Sequence, residues 1–172
     1  MKRFALLALI LAATPVAADS AHQHSPYAGE EARDIKALSP EEIADLNAGR
    51  GMGLALAAEL NGYPGPRHVL DLASELQLTV GQKRRTGALF EAMRRETSAL
   101  GAQVIEAERA LDRLFADKQA TPETVAAATE QAGAVGAKLR AAHLRYHLAM
   151  MDVLSAEQVA AYNHLRGYAT HH

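Results

Sequence analysis

The 172 residues carry a formal charge of −2, with eight histidines, no cysteine and no tryptophan. A mildly acidic balance gives no support to nucleic-acid binding through bulk charge, and without cysteine neither a disulfide framework nor a lipid-modified cysteine is available. The length suits one domain, and a makeup rich in Ala, Leu, Glu and Arg but poor in aromatics predicts an all-α fold stabilised by packing.

Lys2 and Arg3, the apolar run Phe4 to Ala13 and the small residues Val16-Ala17-Ala18 before Asp19 read as a cleaved secretory signal over residues 1–18. That run falls short of the ~20 residues a membrane-spanning helix needs, and no later stretch qualifies. The expectation is a soluble, exported, periplasmic protein without stable membrane insertion. Residues 19–37 are polar and aperiodic, contain His22 and His24 with Pro26 and Gly29 as breakers, and predict a flexible tail. A single all-α domain is expected over 38–168, followed by a loose tail at 169–172 that holds His171 and His172.

Ser39-Pro40-Glu41-Glu42 starts the first short helix, because the serine can cap free amides, proline suits the first helical position and Glu42 can complete a capping box. It should run to about Asn47. Gly49, Gly51 and Gly53 then break the helix, Leu54 to Leu60 recover a turn or two, and Asn61-Gly62-Tyr63-Pro64-Gly65-Pro66 is a turn. A second short helix is predicted from His68 to Gln77.

At Leu78-Thr79-Val80-Gly81-Gln82 the threonine can cap a new helix and Gln82 can reach back to it. Phe90, Met93, Thr97, Leu100, Val104, Ala107, Leu111 and Leu114 then alternate steps of three and four, the seam of a helix that reaches about Lys118 and spans roughly 55–60 Å. Gly87 and Gly101 weaken it and mark a bend or the close approach of a neighbour. Thr121-Pro122-Glu123 starts the next helix, whose stripe is Val125, Ala128, Ala132, Val135, Leu139, Ala142, Tyr146, Ala149 and Val153. With a short turn near Gln119 and Ala120, the two should form a long antiparallel hairpin with short flanking helices. Leu154-Ser155-Ala156-Glu157-Gln158 starts a final short helix to about Arg166, stopped by Gly167. Thr79 with Gln82 and Ser155 with Gln158 are read as caps, not as chemistry. So thin a core leaves apolar flanks, for which a homodimer is the remedy.

His143 and His147 lie four apart, so both imidazoles share one helix face, with Met150 and Met151 about one turn on. A turn near residues 119–120 sets Glu96 opposite His143 and Met93 near His147. Carboxylate, imidazole and thioether donors suit zinc, copper, nickel or cobalt better than calcium or magnesium, although no cofactor is obligatory. The alternative is a histidine pair at the edge of the core. A second candidate is the basic cluster Lys83, Arg84, Arg85, Arg94 and Arg95 with Phe90 and Met93, a surface able to steer and loosely hold unfolded proteins; the alternative is a solvated face whose arginines pair with Glu91 and Glu96. His68 and His164 stand alone and read as structural. Nothing points to an enzyme: there is no nucleophile elbow, no phosphate-cradling loop and no H-E-x-x-H.

The paired motifs Leu78-Thr79-Val80-Gly81-Gln82 and Leu154-Ser155-Ala156-Glu157-Gln158 resemble the LTxxQ motifs of the Spy/CpxP family, and the chain from about Pro66 to Tyr168 is similar to that family and to related periplasmic heavy-metal resistance and metal-sensor proteins. The second motif has Ser for Thr, which keeps the cap. The resemblance implies a four-helix hooked hairpin that dimerises into a curved shell and acts without catalysis. The function it implies is that of an ATP-independent chaperone or envelope-stress modulator that also binds transition metal. Its partners would be unfolded periplasmic proteins or an envelope sensor. The alternative is a dedicated metal sensor or metal-buffering resistance protein. In the metal-sensing relatives, His and Met on the last long helix and a carboxylate on the facing helix are ligands, which map here to His143, His147, Met150 or Met151 and a facing Glu.

Overall fold

The computed structural model describes residues 25–168, so the expected signal, His22 and His24, and His171 and His172 lie outside the described residues. The chain divides into two compact units, residues 1–31 and 32–172. In the first, the described residues make successive turns, closed by Ala28 N–H to the Ser25 carbonyl at 2.9 Å and Glu30 N–H to the Tyr27 carbonyl at 3.0 Å. Among its described residues the second holds six α-helices: α1 (Pro40–Ala48), α2 (Leu56–Glu59), α3 (Pro66–Asp71), α4 (Val80–Ala116), α5 (Pro122–Met151) and α6 (Ala156–Leu165). No strand occurs among the described residues.

Four of these six helices begin with a reciprocal cap. Ser39 with Glu42, Thr79 with Gln82, Thr121 with Thr124 and Ser155 with Gln158 each exchange side chain and backbone amide, satisfying donors that a helix start leaves free. These bonds to Ser39 hold the Glu42 carboxyl below its ordinary value. Pro40, Pro66 and Pro122 occupy first helical positions, where a missing N–H costs nothing. Because Pro66 can start a helix, α3 begins two residues before the expected His68 and ends at Asp71; turns then carry the chain to Gln77, which takes a left-handed φ of 49°.

The long helices α4 and α5 pack closely, and α1 and α3 pack on α4. Pairings descend along α5 as they climb along α4. Leu89 packs against the cluster of Met150, Glu96 bonds Arg145 and Tyr146, and Ile105 clusters with Leu139. Leu46 at the end of α1 lies so close to α4 that a Cβ on Gly101 would sit 2.2 Å from its carbonyl oxygen. Gly101 therefore serves close approach, while the space around Gly87 is open.

Two apolar clusters hold these elements. One joins Val69, Leu76, Leu78, Met150, Val153, Leu154 and Tyr162; the other joins Ile35, Leu46, Ile105 and Leu139. Ile35 falls in the stretch expected to be a tail, yet it is fully buried. A lone β-branched residue in a polar segment carries no periodicity by which to foresee this. Among the described residues, no helix is long and apolar enough to cross a membrane.

Candidate functional site

The start of α4 and the start of α6 meet through two glutamines. Gln82 Nε2 donates to Gln158 Oε1 at 2.7 Å and to the Val153 carbonyl at 2.9 Å, and Gln158 Nε2 donates to Gln82 Oε1 at 3.2 Å and to the Leu76 carbonyl at 3.1 Å. Each Oε1 also accepts its own cap residue's N–H, from Thr79 at 3.0 Å and Ser155 at 3.0 Å. Both amides thus use all four bonding positions. With Leu78 and Leu154 buried alongside, the two motifs form one structural joint.

The structure also encloses a cavity of about 540 Å³. Its walls come from the loop after α1, from α2, α3, α4 and α5, and from Arg166 and Tyr168 beyond α6. The stripe of α5 brings His143 and His147 to it, 3% and 7% exposed. Tyr63 fixes one of them: its carbonyl lies 2.7 Å from His147 Nδ1. A carbonyl only accepts, so the ring proton is on Nδ1 and the neutral ring keeps a lone pair at Nε2. Gly65 permits this fit, since a Cβ there would sit 2.9 Å from His147 Cε1 and 3.1 Å from Nε2.

Glu59 from α2 also lines the cavity and is buried. Its Oε1 accepts from Tyr162 and, at 3.0 Å, from Tyr168, with Arg166 Nε 3.6 Å away. Burial, then the bond to Glu59, pushes the Tyr162 hydroxyl well above its ordinary pKa. Glu59 Oε2 has no hydrogen-bond partner and lies 3.7 Å from His147 Nδ1. His143 Nε2 is likewise buried without a partner, and burial, with His147 adding to it, lowers the His143 pKa. Such groups are rare in native proteins, because a buried polar atom left unpaired costs ~1–3 kcal/mol.

The expected ligand set is therefore only partly assembled here. His143 and His147 line the cavity, but Met150 is fully buried in the first cluster, Met151 is outside the cavity lining at 39% exposed, and neither contributes a wall. Glu96 does not face His143. It accepts from Arg145 at 2.6 Å and Tyr146 at 2.9 Å, two to three positions further along α5, and these bonds hold its carboxyl below the ordinary value. Met93, expected near His147, does line the cavity, and Met52 joins it. Among the described residues no three His, Asp or Glu side chains are arranged to hold one metal ion.

The expected client surface is divided too. Lys83, Arg84, Arg85 and Arg95 are exposed, whereas Met93 is buried and Phe90 is half-buried under the Arg67 guanidinium, 5.8 Å from the ring centre. Arg94 pairs with Glu91 at 2.9 Å. Phe90, Met93 and Arg94 all line the cavity, while Lys83, Arg84, Arg85 and Arg95 do not. His164 is exposed, and His68 joins the cavity wall with its pKa lowered by burial, then by Arg166.

Sequence reasoning passed over Glu59, Gly65 and Met52. Glu59 did carry a signal, as the one charged residue in Leu54-Ala55-Leu56-Ala57-Ala58-Glu59-Leu60. No protein-family model matches the chain, and no curated protein and no solved structure matches it.

Proposed function

We propose that this chain is a non-enzymatic, exported binding protein that holds a transition-metal ion at His143 and His147, acting as a metal sensor or buffer in envelope stress. One observation carries the reading. Two buried imidazoles one helical turn apart share a cavity, one with its tautomer set by a backbone carbonyl and the other with Nε2 unpaired. A metal-binding histidine usually donates its remote N–H to a carbonyl or carboxylate, as His147 does to Tyr63. When bound, the ion would supply charge and cross-link the cavity walls; the chain's own part is to present two nitrogen donors and exclude water. The paired LTxxQ-like motifs and the closely packed long helices support a Spy/CpxP-like hooked hairpin, and the exposed apolar side chains support a dimer.

Calorimetric titration of the mature, tag-free protein with zinc, copper, nickel and cobalt tests this beside His143→Gln/His147→Gln. Saturable binding near one ion per chain that disappears in a variant of unchanged helicity is expected. Binding that is absent, or equal in both proteins, overturns the reading.

A second reading, an ATP-independent chaperone, is favoured by the exposed run Lys83, Arg84 and Arg85 next to Val80, whose side chain is 86% exposed. Suppression of client aggregation that survives loss of the histidines supports it, and failure with several unfolded clients removes it.

A further inference from the structure

We infer that this site selects a soft, monovalent ion, Cu(I), over zinc, nickel and cobalt, with Met93 and Met52 supplying thioether sulfur beside the two imidazoles. The inference rests on the reading of His143 and His147 as metal ligands and names the ion they take.

Two observations carry it. The first is the poverty of hard donors. Glu96 is committed to Arg145 and Tyr146, Glu59 Oε1 is committed to two tyrosines, and Glu59 Oε2 lies on the Nδ1 side of His147, the nitrogen already bonded to Tyr63. No three His, Asp or Glu side chains converge among the described residues. Zinc sites draw three or four protein ligands from Cys, His and carboxylate, and nickel and cobalt likewise favour nitrogen and oxygen, whereas Cu(I) takes thioether readily.

The second is where the sulfur lies. Met93 on α4 is buried yet lines the cavity across from α5, and Met52 lines it from the glycine-flanked loop 51–53. The other two described methionines are not in the lining.

The test uses the full mature chain, titrated anaerobically with Cu(I) in competition with a chromophoric chelator, with Ag(I) as a redox-inert probe, and with Zn(II) and Ni(II) alone. The variants are Met93→Leu, Met52→Leu and His143→Gln/His147→Gln, with thermal melting as the fold control. Leucine replaces methionine at nearly equal volume, so the fold should persist.

One Cu(I) per chain is expected, at least about a hundred-fold tighter than zinc, and Met93→Leu should weaken Cu(I) by about ten-fold or more without changing zinc affinity. X-ray absorption at the copper edge should show a sulfur neighbour that Met93→Leu loses. Zinc or nickel bound as tightly as Cu(I), or Cu(I) affinity unchanged in both methionine variants, overturns the selection while leaving the histidine site standing. Failure of every ion to bind overturns both.

Discussion

α4 is packed by α3 and α5 and, across its middle from Thr97 to Ile105, by α1, and α5 also receives α2 and α3. Every residue of the candidate cavity lies in this packed region or in the segments that cover it. At the other end, over residues 108–134, no residue is buried. Both ends carry the same three-four apolar stripe, yet Leu139 is buried while Leu111, Leu114 and Val125 stay half-buried. A stripe says which face turns inward. How far that face leaves water depends on what lies against it, and beyond Ala107 the leucines of α4 meet the small residues of α5 under a thin cover, in which Asp34 reaches Arg109 and Lys36 reaches Asp112.

Truncation in the two regions gives the largest expected contrast. Leu139→Ala should cost about 2–5 kcal/mol through lost burial and a cavity, whereas Val125→Ala at the bare end should cost less than about 1 kcal/mol. Chemical denaturation of both variants measures the difference, and equal losses would end the comparison. Glycine replacement sharpens it with opposite signs. Gly101→Ala drives a methyl into the Leu46 carbonyl and should destabilise by about 1–3 kcal/mol. Gly133→Ala, in open space within α5, should stabilise by about 0.5–1 kcal/mol through helix propensity. The shift in melting temperature should change sign between them.

A smaller effect is expected at the joint of the two motifs. Gln82→Ala should cost about 1–2 kcal/mol by stranding Gln158, and the Gln82→Ala/Gln158→Ala double variant should lose less than the sum of the singles. Additive losses in denaturant melts would show that the two amides do not cooperate.

The smallest effect belongs to Glu96. Its folded carboxyl titrates below its ordinary value because of Arg145, then Tyr146. The stability this gives is therefore present above the unfolded-state pKa and lost as pH falls through the folded one. Exposure of the pair limits Glu96→Gln to a loss of less than about 1 kcal/mol near neutral pH. That loss should disappear in strongly acidic buffer. A loss that persists there would point to packing instead of charge.

Local features were the most legible. Caps at Ser39, Thr79, Thr121 and Ser155, the breaks at Gly49 and Gly53 and both long stripes follow from chemistry within a few residues, and the helices start where those signals stand. The cavity was legible on its α5 side, where spacing along one helix puts His143 and His147 together, and at Met93, which the hairpin turn sets near His147. Its other walls depend on register between elements. A shift of two to three residues sent Glu96 to Arg145 and Tyr146, and one charged residue on a four-residue helix became the buried acid. Met150 lies one turn from His147 in sequence, but the face it occupies belongs to the cluster with Val69 and Tyr162. Spacing along a helix ranks neighbours, and packing from distant segments decides which of them reach the site.

The tether of Glu59 to Tyr162 and Tyr168 spans more than a hundred residues of chain. A polypeptide emerging amino end first therefore has both imidazoles in hand before it has the tyrosines that hold the buried acid, and before Gln158 can complete the joint with Gln82. A chain still being made lacks the last part of the cavity wall, which Arg166 and Tyr168 supply beyond α6, so that wall is complete only once residue 168 has joined the chain.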